Sequence, residues 1–116
     1  MGNDNLRAEV HRLHAQVCSG LADPNRILIL YTLSERDHNV SDLAKVLDLP
    51  QSTVSRHLKV LRDRNMVVAQ REGPSVFYSI SDRRIIQALD LLRTILADTL
   101  INQGNLARSA KTDSPI

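Results

Sequence analysis

The sequence predicts a mostly α-helical fold of about five helices with one small β-hairpin. Residues 41–65 contain two short amphipathic segments on either side of a break at Leu49-Pro50. Residues 66–81 change to an alternation of apolar and polar side chains around a Gly-Pro turn, and both ends of the chain carry apolar stripes at helical spacing. Because a helix repeats every 3.6 residues and a strand every two, these three patterns indicate the class of each segment.

The helices before the break have recognisable starts. Residues 5–19 are predicted to form the opening helix, because four apolar residues repeat at helical spacing: Leu6, Val10, Leu13 and Val17. Asp23-Pro24, a capping residue followed by a first-turn proline, predicts the start of the second helix. The third helix begins at Val40 after the polar connection SERDHN, and the fourth follows Pro50.

The fourth helix has two chemically different edges. Val54, Leu58 and Leu61 fall at the i, i+4, i+7 spacing with which a helix packs on a core. The other positions combine hydroxyl and amide groups, which can read base edges, with cations that can meet phosphates. A helix of this kind fits the major groove of duplex DNA. We therefore predict that the following residues contact DNA: Gln51, Ser52, Thr53, Ser55, Arg56, His57 and Lys59.

The alternating segment after this helix predicts a β-hairpin. Val67 and Ala69 alternate on the outgoing strand, and Val76, Tyr78 and Ile80 alternate on the returning strand. A hairpin directly after a helix-turn-helix forms a wing, so the predicted fold is a winged helix-turn-helix. The wing tip would lie beside the duplex, where its cation can touch phosphate or enter the minor groove. The predicted contacts at the tip are Arg71, Gly73 and Ser75.

The opening and closing helices are predicted to form a homodimer. The core of a winged helix-turn-helix is filled by its central helices and hairpin, so both terminal helices have apolar surface left to bury. The alternative is that they cover only their own core. A symmetric dimer would present two recognition helices about 34 Å apart, which predicts a double-stranded DNA operator with two-fold symmetry as the partner. The predicted interface residues are Leu6, Val10, Leu13, Val17, Leu89, Leu92 and Leu96.

Composition limits the other classes of function. The 116 residues with 42% hydrophobic content fit one domain, residues 1–104, and the polar segment 105–116 is predicted to be a disordered tail. No apolar run approaches a membrane span and the first residues lack a secretory signal, so we expect a cytoplasmic protein without a membrane partner. The sequence has no phosphate loop, nucleophile elbow or paired carboxylates, and we predict that the protein is not an enzyme.

Positive charge is concentrated in the segment that contains the fourth helix and the hairpin. Residues 51–84 hold seven Lys or Arg and three acids, whereas the remainder of the chain holds eight basic and ten acidic residues. A surface that faces phosphates concentrates one sign of charge. This balance favours a DNA-binding transcriptional regulator over the alternative, a winged helix that binds protein and not DNA.

The order of these segments resembles the ArsR/SmtB family of small dimeric winged-helix repressors over nearly the whole chain. The stretch QSTVSRHLKVLRDRNMV carries most of the resemblance, and LADPNRILIL and VFYSI support it. The resemblance implies a homodimer that occupies an operator and is released by an inducer, often a metal or metalloid ion. Asp48 departs from the pattern, since helix-turn-helix sequences often place glycine in this turn.

The metal sites of that family are not retained in this chain. The arsenic, cadmium and lead sensors of the family place Cys-x-Cys before the third helix, where residues 39–41 read Asn-Val-Ser. The zinc sensors use an Asp, two His and a carboxylate on the last helix, and this chain keeps Asp82 and Asp98. The two histidine positions, however, hold Arg84 and Ile95, which do not bind zinc. We therefore predict neither site.

One other group of candidate metal ligands lies on the opening helix. His11, His14 and Cys18 are spaced i, i+3, i+7, which would place them in one stripe able to hold a zinc, nickel or cobalt ion with a fourth ligand from the dimer partner. The sequence assigns no cofactor, and a transition-metal ion as inducer is one hypothesis. Two alternatives remain: Cys18 is a small buried side chain beside an interface, or it senses redox state as an exposed thiolate.

Overall fold

The computed structural model describes the backbone of residues 3–113 and the side chains of residues 4–104. Its elements, in chain order, are α1 Asn3–Leu13, a π-helical turn His14–Cys18, α2 Pro24–Glu35, α3 Val40–Leu47, α4 Gln51–Asp63, β1 Val67–Glu72, β2 Ser75–Ile80 and α5 Arg84–Asp113. The predicted fold class, helices with one hairpin as a wing, is confirmed. The chain divides into two compact units, one that ends at Arg83 and one that begins at Arg84.

Side-chain caps start the second and third helices. The Asp23 carboxylate accepts a hydrogen bond from the amide of Asn25 at 2.8 Å, and Pro24 occupies the first turn of α2. The Asn39 side chain accepts from the amide of Asp42 at 2.8 Å and caps α3. Each cap satisfies one amide that has no partner within its helix. The starts predicted at Asp23-Pro24 and at Val40 are therefore confirmed.

The turn between α3 and α4 has a backbone conformation that favours glycine. Asp48, which ends α3, has a φ of 55° in the left-handed region. Aspartate is one of the few residues with a side chain that tolerates this region. The next amide, of Leu49, donates to the carbonyl of Ala44 at 3.0 Å and closes the helix end. The turn thus keeps the geometry of a helix-turn-helix although the chain has aspartate where glycine is common.

The core of the first unit lies between α2, α3, α4 and the start of the hairpin. The fully buried side chains are apolar and come from each of these elements, which explains how α4 is held in place. They are Ile29, Leu30, Leu43, Val54, Leu58, Leu61, Met66 and Val67.

The hairpin is a regular antiparallel pair with a two-residue turn. Register runs from Val67 paired with Ile80 to Glu72 paired with Ser75, so Gly73-Pro74 form the turn. The backbone of His38, just before α3, extends this sheet: its amide donates to the Tyr78 carbonyl at 3.2 Å and its carbonyl accepts from the Tyr78 amide at 2.8 Å. These two bonds fix β2 to the segment that precedes α3.

The two terminal helices differ from their predicted limits. α1 gives way to a π-helical turn at His14–Cys18 instead of continuing as a regular helix to Ser19. α5 continues to Asp113, past the predicted domain end at residue 104. The disorder predicted for 105–116 stays a prediction, because the side chains of that segment and the backbone of its last three residues lie outside the described residues. No described helix combines the length and apolarity that crossing a membrane requires.

Candidate nucleic-acid interface

Helix α4 turns its apolar edge inward and its polar edge to solvent. Val54, Leu58 and Leu61 are at most 1% exposed. Among the residues predicted to contact DNA, Thr53 is half-buried, and the following are exposed: Gln51, Ser52, Ser55, Arg56 and Lys59. The side chains predicted to read bases and to bind phosphates therefore share one solvent-facing surface. Their contact with DNA stays a prediction.

His57 does not belong to this surface. Its side chain lies in the interior, with only 6% exposed. Its Nδ1 is 3.3 Å from Nη1 of Arg26, and its Nε2 is 4.0 Å from a carboxylate oxygen of Asp23. The prediction that His57 contacts DNA is corrected, because a side chain buried against α2 and its cap cannot reach a duplex.

Arg26 connects α4 to the loop between α1 and α2. Its Nε donates to the carbonyl of Gly20 at 2.7 Å and its Nη2 to the carbonyl of Ser19 at 3.2 Å, while Nη1 faces His57. Since a guanidinium only donates, a hydrogen bond in this contact requires the His57 tautomer in which Nδ1 is the acceptor. Sequence reasoning missed Arg26, and no local pattern indicates it, because its partner on α4 lies 31 residues further along.

The loop that Arg26 holds comes very close to the end of α4. A Cβ added at Gly20 would lie 2.9 Å from Cδ of Arg64, 3.0 Å from Sδ of Met66 and 3.3 Å from the carbonyl oxygen of Val17. Nε of Arg64 also donates to the hydroxyl of Ser19 at 3.0 Å. Only glycine permits this approach without displacement of a neighbour, so Gly20 allows the loop to lie against the segment that follows α4.

The wing tip is open to solvent. Arg71 and Gly73 are exposed, and Ser75 is half-buried. Gly73 has a φ of 61°, and no atom lies within 4 Å of where its Cβ would be. The turn thus requires glycine for its backbone conformation and leaves room for a large partner. The tip residues have the exposure that a contact with DNA requires, and that contact stays a prediction.

The apolar residues predicted for the dimer interface are largely exposed within a single chain. On α1, Leu6, Val10 and Leu13 are 50 to 60% exposed, and Val17 is half-buried. On α5, Leu92 and Leu96 are 58 and 57% exposed. Leu89 is the exception, because it is only 6% exposed in the single chain and has little surface left for a partner to cover. The prediction that Leu89 lies in the dimer interface is therefore corrected.

The candidate metal ligands of the opening helix are exposed side chains. His11, His14 and Cys18 all face solvent. Across residues 4–104, the structure brings together no three His, Cys, Asp or Glu side chains that could hold a metal ion. The stripe therefore does not form a three-ligand site within one chain. Cys18 is exposed in the single chain, so burial of this thiol would require the dimer partner, and that alternative stays a prediction.

Sequence comparison places the chain among bacterial regulators. Residues 23–68 match the family model described as bacterial regulatory protein, arsR family. The HTH-type transcriptional regulator NmtR of Mycobacterium tuberculosis is 43% identical over 79 residues, a match that covers 66% of this chain and 66% of that protein. The chain thus spans about two thirds of the length of that relative. Further curated relatives are named as transcriptional repressors or regulators.

Solved structures share the fold. Rv0081 of Mycobacterium tuberculosis matches with a TM-score of 0.73 at 37% identity, over 81% of this chain and 95% of that one. A homodimeric winged helix-turn-helix DNA-binding domain from Mycobacterium bovis matches with a TM-score of 0.71 at 26% identity, over 81% of this chain and 87% of that one. The family resemblance and the prediction of a transcriptional regulator that is not an enzyme are confirmed. The chain belongs to the arsR family of bacterial regulatory proteins.

Proposed function

We propose that this protein is a homodimeric, sequence-specific repressor that acts on DNA in the cytoplasm and leaves its operator when an inducer binds. The observation that carries the proposal is the exposed polar edge of α4, supported from behind by a buried apolar edge. Gln51 and Arg56 offer the paired hydrogen-bonding groups that recognise adenine and guanine. Lys59 on α4 and Arg71 on the wing supply cations for phosphates, which position the protein without reading sequence.

The proposed homodimer accounts for the exposed apolar side chains of α1 and α5. Large apolar side chains on both helices are half or more exposed in the single chain, and surfaces of this kind mark interfaces. The relative from Mycobacterium bovis is a homodimer, which supports the same assembly here. A two-fold dimer presents two copies of α4 in symmetric orientation, so we expect an operator with two-fold symmetry.

The proposed inducer is a ligand that alters the dimer, and a transition-metal ion is the class suggested by the family resemblance. Within residues 4–104 one chain does not assemble a metal cluster, so a metal would require ligands from both copies. The three variants His11→Ala, His14→Ala and Cys18→Ser should leave DNA binding intact. Loss of metal-induced release in any of them would assign that residue to the inducer site, and unaltered release in all three would exclude the stripe.

A mobility-shift assay tests the proposed function. The probe is the duplex upstream of the protein's own gene, with an unrelated duplex of equal length as competitor. We expect a complex that survives excess unrelated competitor in the wild type and loses this preference in Arg56→Ala. If neither duplex is shifted, the alternative of a winged helix that binds protein is favoured.

A further inference from the structure

A polar groove separates the recognition helix from the wing. Its volume is about 410 Å³, and it is lined by Ser55, Leu58, Lys59, Arg62, Asp63 and Tyr78. The polar helix residues come from the solvent edge of α4, and Tyr78 comes from β2. Leu58 is 1% exposed and belongs to the core beneath. The groove thus has an apolar base and polar walls that carry two cations and one carboxylate.

Several hydrogen-bond donors in this groove are uncommitted. Among the described residues, the hydroxyl of Ser55, the guanidinium of Arg62 and the hydroxyl of Tyr78 have no protein partner. Lys59 contacts the Asp63 carboxylate at 3.2 Å, but both side chains are mostly exposed, at 76 and 58%. An exposed ion pair of this kind contributes little to the free energy of folding, and its side chains rearrange easily. The groove therefore offers a net positive charge and at least three free donors, which is the chemistry that binds an oxyanion.

Tyr78 is held in place before any ligand arrives. On one side its backbone pairs with Ala69 of β1. On the other it exchanges two hydrogen bonds with His38, at 2.8 and 3.2 Å. Its side chain is half-buried. A donor on a fixed strand loses less conformational freedom on binding than a donor on a mobile loop, so this wall of the groove is organised in advance.

The geometry of B-DNA indicates which oxyanion would meet this groove. If α4 enters a major groove while the wing tip reaches the neighbouring minor groove, one sugar-phosphate strand separates those two grooves. That strand has to pass between α4 and the hairpin, which is where the polar groove lies. Its phosphates carry the tetrahedral oxygens that Arg, Ser and Tyr side chains commonly contact.

Resting on the proposed function, we propose that this groove binds the phosphodiester strand between the major and minor grooves, with Arg62, Ser55 and Tyr78 donating to phosphate oxygens. Asp63 then has a defined effect: its carboxylate repels the same phosphates and lowers the affinity for DNA. The site contributes to binding of every sequence, because phosphates carry no base information. It extends the interface beyond the helix edge and the wing tip to the cleft between them.

Fluorescence anisotropy with a labelled operator duplex tests this site. Arg62→Gln should weaken binding about tenfold at moderate salt, to operator and unrelated duplex alike, and should make the salt slope shallower by about 2, since the dimer loses one phosphate contact from each copy. Tyr78→Phe should weaken binding by a smaller factor with no change in the salt slope. Asp63→Asn should tighten binding several-fold. An increase in affinity on loss of a carboxylate is not expected from a merely structural role.

Arg36→Gln is the matched control, because Arg36 is an exposed arginine outside the groove. If Arg62→Gln and Asp63→Asn change affinity no more than Arg36→Gln, the groove site is wrong while the DNA-binding function stands. If the wild type binds no duplex, the proposed function itself fails. Inorganic phosphate at constant ionic strength distinguishes a free anion from DNA: low millimolar phosphate that binds the wild type but not Arg62→Gln, and that does so without displacing the duplex, would overturn the assignment to the DNA strand.

Discussion

Replacement of Arg26 by alanine should destabilise the protein, because this side chain joins three segments. Its guanidinium donates to the carbonyls of Gly20 and Ser19 and to His57, at 2.7, 3.2 and 3.3 Å. A hydrogen bond from a charged group contributes roughly 1.5–3 kcal/mol, and an acceptor left buried without a partner adds a penalty. The two longer contacts are weaker than the shortest one, and the energies of three contacts made by one side chain do not simply add. We therefore expect a loss of about 2–4 kcal/mol in the free energy of unfolding.

Urea denaturation followed by circular dichroism measures this loss, with all variants at one protein concentration because dimerisation contributes to the apparent stability. Arg36→Ala, a truncation of an exposed arginine, should change the free energy of unfolding by less than about 0.5 kcal/mol. Arg26→Lys should recover only part of the loss, since an ammonium cannot reproduce the fork of the guanidinium. If Arg26→Ala were as stable as Arg36→Ala, the contacts between α2, the preceding loop and His57 would not hold α4 in place.

Four other outcomes are expected. Arg56→Ala should cost about 1–3 kcal/mol in operator binding and relax sequence preference, whereas Arg71→Ala should weaken binding to all duplexes equally; competition with mutated operators separates the two effects. Gly20→Ala should lower the free energy of unfolding by about 1–3 kcal/mol in urea titrations, because the carbonyl of Val17 cannot move as easily as the side chains nearby. Leu96→Glu should shift the protein from dimer to monomer in light scattering, while Gln87→Glu on the same helix should not. Asp48→Gly should raise the free energy of unfolding by about 0.5–1 kcal/mol, since it relieves a left-handed backbone conformation; an unchanged urea midpoint would contradict that reasoning.

Periodicity in the sequence predicts the elements of the first unit and the two edges of α4 well. Apolar residues at i, i+4, i+7 place Val54, Leu58 and Leu61 against the core, and all three are buried. The Gly-Pro turn and the alternating residues locate the hairpin. Both predictions succeed for the same reason. The spacing of apolar residues along the chain indicates which side of a helix or strand is buried, without knowledge of the elements that pack against it.

For polar residues at the edge of an apolar stripe, the sequence does not show whether the side chain is buried or exposed. His57 lies three residues after Val54 and before Leu61, the first and last residues of the buried stripe on α4. Its spacing therefore already favoured the buried side of the helix. Its chemistry pointed to DNA because imidazole also contacts nucleic acid. The deciding fact is the presence of Arg26 and Asp23 opposite its ring, which depends on how two distant segments meet. No pattern within α4 contains that information.

The sequence also does not show which side chains of the terminal helices are buried within a single chain. Leu89 belongs to the apolar side of α5 together with Leu92 and Leu96, yet only Leu89 is buried in the single chain. Spacing shows that these residues share a side of the helix, but it does not show which of them a partner would cover. The exposure of His14 and Cys18 was likewise undetermined, because they lie on the π-helical turn that ends α1.

The dependence of operator affinity on salt concentration tests the central claim most directly. Each chain offers three cations for phosphate contacts, Lys59, Arg62 and Arg71, so a dimer on its operator has six. Each neutralised phosphate releases counterions, and the logarithm of the binding constant should therefore fall with the logarithm of salt concentration at a slope of about −5. A slope shallower than about −2, or no measurable affinity for duplex DNA at low salt, would contradict the assignment of α4 and the wing as the nucleic-acid interface.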